Sequence, residues 1–438
     1  MGNWAPTVNL TTYEYKRAQE GLSSSPWFRL QTLTGLFICA GLPYIVSIVI
    51  RRLPYDRDPP SLNTLIGATL AVMLGIYFSR RLTYFPGTRQ RESVLPAFLL
   101  SFGVVAVALL LWRLDYSRIQ LATSAIMSIL FFSLPNIFGR QWEQTTFHVV
   151  PVGAVGRLKR MAGVSFVTMA EPALPDRANA AIVADFRASI PPEWERTLAQ
   201  AALQGYPVYH VKQLVESLSG QVKIEHLSEN SLGSLIPNLG YRKIKSLVDV
   251  IAALVVLPFV LVILVPCAIA IRLDSPGPVF FRQKRMGFRG KVFTVIKFRT
   301  MAWHPEPTAD DARNAAVTQD GDTRITRVGS ILRKFRLDEL PQIFNILRGE
   351  MSWIGPRPEA VQLSQWYEDE LPFYSYRHIV LPGITGWAQV NQGHVADLEA
   401  VGTKLQFDFY YIKYFSAWLD ILITLKTVRT MLTGFGAK

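Results

Sequence analysis

Charge is scarce in this sequence and cysteine scarcer still. Only 18% of the 438 residues are Asp, Glu, Lys or Arg, against roughly 25% in an average soluble domain, and that deficit points towards lipid. Cys39 and Cys267 both lie inside apolar runs, which excludes a disulfide framework and any CxxC metal or redox site; a reducing compartment is compatible with this. A full GxGxxG with a matching acidic residue is also missing. Gly153 and Gly156 approach it, so a nucleotide cofactor is not expected there. Nucleic acid is not an expected partner either, because the basic residues bracket an apolar segment and form no helix-turn-helix or zinc pattern. The first apolar run is too deep in the chain, and lacks a small-residue cleavage site close behind it, to act as a removable signal peptide.

Half of the residues are hydrophobic, and they are grouped. Residues 33–50, 62–78, 94–112 and 119–138 carry no charge and each approaches the roughly 20 residues that a helix needs to cross a bilayer. They predict a bundle of four transmembrane helices over 1–145. Arg80, Arg81, Arg89 and Arg91 face only Glu92 between the second and third runs, which favours that loop and both ends of the bundle in the cytoplasm. Over 146–232 short apolar runs at 148–152, 180–186 and 206–211 flank a helix-like stretch near 194–203, the pattern of a small Rossmann-like α/β domain. A scaffolding or dimerising role suits it, and a second copy of the chain is kept as a candidate partner.

The third domain, 233–438, opens with 247–271, apolar except for Asp249 and interrupted by Pro258 and Pro266. Arg242, Lys243 and Lys245 precede it, and Arg272, Arg282, Lys284 and Arg285 follow it. Basic residues on both flanks predict a re-entrant helix that turns near Pro258 and leaves by the face it entered. Across 241–300 eleven Lys or Arg stand against Asp249 and Asp274, within a chain of net charge +13. Such a surface suits phosphates or anionic lipid, and equally a positive-inside flank. Towards the end Trp418, Leu419, Leu422, Leu425, Val428 and Leu432 recur at helical spacing, as an interfacial amphipathic helix or one packed on the domain's own core would show.

Four stretches carry candidate chemistry. FRQKRMGFRGKVFTVIKFRTM over 281–301 reads as a β-hairpin turning around Gly287 to Gly290, with Phe293, Val295, Lys297 and Arg299 on one face of its second strand. Two cations at that spacing suit a diphosphate or a phosphate lipid head, or simply a polar strand face. Asp338 and Glu339 precede Leu340 and Pro341; proline is tolerated in a helix's first turn, so Asp338 is expected as an N-cap, where negative charge and phosphate are both favoured. The same residues also make an ordinary helix start. Gly355, Pro356, Arg357 and Pro358 hold a guanidinium on a stiff turn. Finally, the glycine-punctuated loop at 382–393, with Gln389 and Asn391, can approach a nucleotide closely.

Together, KFRTM at 297–301, LDELPQ at 337–342, GPRP at 355–358, PGITGWAQVN at 382–391 and DFYY at 408–411 stand in the order of the monotopic polyprenyl-phosphate phosphoglycosyl transferases. The resemblance spans about 241–438, and the helices and α/β unit before it resemble the large, hexose-1-phosphate-transferring branch that begins exopolysaccharide, capsule or O-antigen repeat units. It implies an enzyme at the cytoplasmic face of the bacterial inner membrane, acting on a UDP-sugar and a polyprenyl phosphate. It also implies a covalent two-step reaction in which Asp338 attacks the sugar-bearing phosphorus and UMP leaves. By the same resemblance Glu339, with Asp338, holds Mg²⁺, Lys297, Arg299, Arg333 and Arg357 face phosphates, and Asp408 is an acidic partner. Two positions depart from the family: Leu257 precedes Pro258 where Ser is frequent, and Glu350 stands where Asp is commoner. An inverting glycosyl transferase, releasing UDP, is the alternative among enzymes. A non-catalytic scaffold in polysaccharide export is the alternative outside them, although a scaffold has no need of an Asp-Glu pair beside KFRTM and GPRP.

Overall fold

The computed structural model describes residues 26–50, 62–82, 90–138, 146–160, 164–175, 180–224, 237, 239–302, 324–392 and 397–433. The chain divides into two compact units, Met1–Ser219 and Gly220–Lys438.

In the first unit all four apolar runs are helical. Helices α1 (Pro26–Leu36) and α2 (Leu42–Ile50) are joined by a π-turn over Phe37–Gly41, in which Leu42 donates its N–H to Phe37 O. Pro43 is the cause: it has no N–H and its ring crowds the carbonyl of Cys39, so the ladder widens by one residue just before it. Helices α3 (Leu62–Leu82) and α4 (Gln90–Leu111) follow. Spans of 18 to 20 residues in α1–α2, α3 and α4 are long and apolar enough to cross a membrane, whereas the apolar part of α5 (Arg118–Phe138), Arg118–Ser133, is shorter. Where no hydrophobic force separates helix from lipid, close packing has to hold the bundle. Gly67, Ala71 and Gly75 therefore recur every fourth residue on α3, and a Cβ at Gly75 would overlap the Phe98 ring of α4. Phe98 in turn stacks on Phe132 with ring centroids 5.0 Å apart.

The α/β part carries a four-stranded parallel sheet of β1 (Thr146–Val149), β2 (Phe166–Thr168), β3 (Ala180–Ala184) and β4 (Val208–His210), in the order β2-β1-β3-β4. Every residue of central β3 is buried, as a strand covered on both faces should be. Helix α6 (Pro192–Leu203) closes one face with Trp194, Leu198 and Ala201, and α7 (Val211–Ser219) follows β4 directly. Edge strand β2 was not among the expected runs.

The second unit begins before the expected boundary at 232/233, which lies outside the described residues. Gly220 O accepts the Trp387 indole N–H at 2.8 Å, and Val222 N–H donates to Gln406 O. Helix α8 (Leu239–Asp274) contains both Pro258 and Pro266 and stays helical through them, so the turn expected near Pro258 is not a break in the helix. One stripe of α8, Lys245, Asp249, Ala253, Val260, Leu264 and Ile271, is buried. Its apolar members pack on Phe293, Val295, Phe298, Leu332, Ile343 and Ile346. On the opposite face Val255, Phe259, Val262 and Val265 are 60–73% exposed, and α8 as a whole is long and apolar enough to cross a membrane. Both ends of α8 are tied to the same unit: Lys245 Nζ lies 2.9 Å from Asp420, and Asp274 accepts the N–H of Val328 at 3.1 Å.

The rest of this unit is a hairpin of β5 (Phe280–Met286) and β6 (Val292–Phe298), α9 (Arg327–Lys334), a 3-10 turn (Leu337–Gln342) running into α10 (Ile343–Leu347), and a parallel pair β7 (Ser352–Ile354) and β8 (Gly383–Thr385). Helix α11 (Val361–Glu370) precedes β8, and α12 (Trp387–Asn391), α13 (Leu398–Lys413) and α14 (Ala417–Thr433) follow it. Leu419 and Leu422, for which the sequence allowed either an interfacial face or packing on the core, are buried in the protein together with Ile423; Val428 and Met431 are exposed. The first turns of α14 thus complete the core, and only its later turns present apolar side chains outward.

Candidate active site

Three elements meet at one carboxylate. Strand β6 brings Lys297, the 3-10 turn brings Glu339, and the proline-flanked loop after β7 brings Arg357. Glu339 Oε1 is 3.0 Å from Lys297 Nζ and 2.7 Å from Arg357 Nη2, with all three side chains largely buried. Burial alone raises a carboxyl pKa, but Arg357 and Lys297 outweigh it and hold Glu339 well below the usual range. Lys297 is lowered to about 8, first by burial and then by Arg357 and Arg285, against the pull of Glu339.

Asp338 is half-buried beside them, and among the described residues its carboxylate accepts no hydrogen bond. Burial and neighbouring Glu339 raise its pKa, and Lys297, Arg357 and Arg333 limit the rise. It is not the N-cap expected from the sequence. Arg336, in the left-handed region at φ 54°, reverses the chain one residue before the turn begins at Leu337, which moves Asp338 inside the first turn. A non-glycine residue in that region stores strain at a site of this kind.

The expected phosphate-facing cations separate into two groups. Lys297 and Arg357 join the cluster, and Arg333 lies close enough to act on Asp338, its Nε donating to Thr300 Oγ1 at 2.9 Å. Arg299 faces elsewhere: it follows the end of β6 and donates to Ser275 O, Ser275 Oγ and Pro276 O at 2.6–3.0 Å. Carbonyls just past a helix end need donors, and this guanidinium supplies them. Asp408 is fully buried in a pair with Arg377, at 2.9 and 3.1 Å, and does not touch the Glu339 cluster. Burial raises its pKa and Arg377 draws it back.

Asn345, which the sequence reading passed over, pins β6 in place. Its Oδ1 accepts Ile296 N–H at 3.1 Å, and its Nδ2 donates to Thr294 O and to Glu350 at 2.8 and 2.7 Å. The longer arm of Glu350 therefore reaches this amide. A polar residue inside the apolar stretch IFNIL was the available signal.

The arginine loop and the glycine-rich loop lie backbone on backbone. Gly355 N–H donates to Thr385 O at 2.8 Å and Gly383 N–H to Pro356 O at 3.0 Å. A Cβ at Gly383 would overlap the Gly355 backbone, and one at Gly386 the Gly355 carbonyl. In the first unit, the loop after β1 gives its Ala154 N–H to Asp185 at 2.9 Å, so an internal carboxylate takes an amide of the kind that a glycine-loop site offers to phosphate.

Among the described residues no cluster of three or more His, Cys, Asp or Glu is set to hold a metal. Mg²⁺ is commonly held by one or two carboxylates with substrate phosphates and water; Asp338 and Glu339 are the adjacent carboxylates here, and Glu339 Oε1 already faces Lys297 and Arg357.

Residues 240–434 match the bacterial sugar transferase family. An Aeromonas hydrophila protein named UDP-N-acetylgalactosamine-undecaprenyl-phosphate N-acetylgalactosaminephosphotransferase is 44% identical over 383 residues, covering 87% of this chain and 89% of that one. Proteins of Xanthomonas campestris pv. campestris and Escherichia coli K12, both named UDP-glucose:undecaprenyl-phosphate glucose-1-phosphate transferase, are 45% and 43% identical. They align over 43% of this chain each and over 38% and 40% of their own length. With its site built from the motifs of this matched region and one relative aligned nearly end to end, the chain belongs to the bacterial sugar transferase family.

Proposed function

We propose that this enzyme transfers a sugar-1-phosphate from a UDP-sugar to undecaprenyl phosphate at the cytoplasmic face of the membrane, releasing UMP and beginning a polysaccharide repeat unit. The observation that carries this is the pairing of Asp338, whose carboxylate accepts no hydrogen bond among the described residues, with a neighbouring carboxylate already held between two buried cations. Asp338 attacks the sugar-bearing phosphorus; an aspartyl–phosphorus bond forms, the bond to the UMP oxygen breaks, and UMP leaves as an anion. The phosphate oxygen of undecaprenyl phosphate then attacks the same phosphorus and Asp338 departs as a carboxylate. Splitting the transfer lets the water-soluble donor product leave before the lipid acceptor arrives. Glu339 keeps Lys297 and Arg357 fixed so that their charge meets the diphosphate without rearrangement. Asp338 and Glu339 are the residues that would hold Mg²⁺, which would supply screening between the attacking carboxylate and the phosphates.

Purified protein, undecaprenyl phosphate and a panel of UDP-sugars decide the reaction. UMP is the expected product, and UDP in its place would favour the glycosyl transferase alternative. UDP-N-acetylgalactosamine is the first donor to test, because the relative aligned through both units carries that sugar in its name. The rate should rise with pH as Asp338, raised above the ordinary Asp value, loses its proton, and fall above about pH 8 as Lys297 loses its charge. Lys297→Arg should move only the basic limb upward; an unchanged basic limb would mean that the titration of Lys297 does not set it.

Topology follows the same reading. With both ends of α8 tied to one unit, we place that unit on the cytoplasmic side, with the outer face of α8 in lipid. A cysteine at exposed Asp369, in a background lacking Cys39 and Cys267, should resist a membrane-impermeant thiol reagent in intact spheroplasts and label after permeabilisation. Labelling in intact spheroplasts would put the site on the wrong side of the membrane.

A further inference from the structure

Arg357 sits on a loop, yet its neighbours leave the loop little freedom. Along one face of α13, Lys404, Asp408 and Tyr411 are spaced at i, i+4 and i+7, and they reach the loop running the opposite way, Lys404 and Tyr411 directly and Asp408 through Arg377. Lys404 pairs with Glu359. Asp408 Oδ2 receives Arg377 Nε and Nη2 at 3.1 and 2.9 Å, and the same Nη2 donates to Arg357 O at 2.9 Å. Tyr411 has its hydroxyl 3.1 Å from Ile354 O. Seven residues of helix rise about 10.5 Å, so three ties fall within a short distance and fix residues 354–359 at both ends and in the middle. From the other side Arg285 Nη1 donates to Pro358 O at 2.5 Å. None of these residues touches the Glu339 carboxylate.

Tyr411 is itself held. Its hydroxyl shares its single proton between Ile354 O at 3.1 Å and Asp420 Oδ1 at 2.9 Å, and the other Asp420 oxygen takes Tyr241 and Lys245 of α8 at 2.5 and 2.9 Å. A continuous set of contacts therefore runs from the lipid-facing helix through Asp420 and Tyr411 to the strand end that leads into Arg357.

We propose that α13 is a splint for the arginine loop, with Asp408 and Tyr411 as positioning residues that set Arg357 against Glu339. This gives the DFYY motif its purpose: Asp408 and Tyr411 act on the reaction only through the loop they hold. The kinetic part rests on the transferase reading above; the structural part does not.

Two measurements on the full-length protein test it. Tyr411→Phe removes one oxygen from a buried ring and is expected to leave the fold intact. Hydrogen exchange should quicken in peptides covering 352–360 while those from β6 keep their protection; unchanged exchange at 352–360 overturns the splint whatever the enzyme's chemistry. In the UMP-release assay Tyr411→Phe should lower kcat about tenfold, since displacement of a reacting group by about 1 Å can cost a hundredfold. The same substitution placed on Arg357→Lys should cost less than threefold, because the group it positions has already been replaced. Equal losses in the two backgrounds would show that Tyr411 acts independently of Arg357 and would overturn the proposal. Asp408→Asn should repeat the pattern. A wild-type protein that releases no UMP would sink the transferase reading, and hydrogen exchange would still decide the splint.

Discussion

Asp338→Asn is expected to reduce UMP release at least a thousandfold while leaving the unfolding transition near that of the wild type. The substitution keeps size and shape but removes the lone-pair anion that forms the bond to phosphorus, and no described hydrogen bond to that carboxylate is lost. Mass spectrometry of wild-type protein given UDP-sugar without acceptor should show a gain of one phosphosugar on Asp338, discharged when undecaprenyl phosphate is added. Freshly prepared variant, free of deamidation, should show no gain. Near wild-type turnover by that variant would end the covalent scheme.

Glu339→Gln should be the most disruptive single change at the site. Its carboxylate is the counter-charge for Lys297 at 3.0 Å and Arg357 at 2.7 Å, and removing one partner from a buried ionic group costs about 3–5 kcal/mol because the remaining charge stays buried. For a unit of this size that corresponds to a fall of roughly 6–20 °C in Tm. Glu339 has its folded-state pKa below the unfolded value, so its contribution is complete at neutral pH and is lost as pH falls below about 4. The gap between wild type and variant should therefore narrow in acid. A Tm within a degree of wild type at pH 7 would mean that the three groups do not form a coupled cluster.

What the sequence revealed follows what physics makes local. Lipid demands long uncharged runs, so the helices at 30–49, 62–81 and 94–111 could be read directly, and the hairpin followed from glycines at its tip and alternation along its strand. Alternation could not say where β6 ends, which is why Lys297 and Arg299 were grouped although only Lys297 reaches Glu339. The same limit applied to Asp338: a cap is decided by one backbone dihedral, and nothing in the sequence marks Arg336 as left-handed. Arg377 was missed because its partner is 31 residues away and neither lies in a recognisable spacing with the other. The π-turn beside Pro43 escaped because proline in an apolar run normally reads as a kink, and the local response to it is a choice among several.

The contact between the two glycine loops also limits how this site can change over generations. Most overcrowded packings can be relieved by a second substitution that shrinks the neighbour. Here the neighbour of Gly383 and of Gly386 is Gly355 itself, meeting them through backbone atoms, and no smaller residue exists to substitute there. A lineage that acquires alanine at any of these positions has no compensating side chain to trim and must move the main chain that carries Arg357. The expected consequence is that viable variants of this loop pair arise by reversion or by replacing the two loops together, and a deep mutational scan should find no second-site suppressor within the pair.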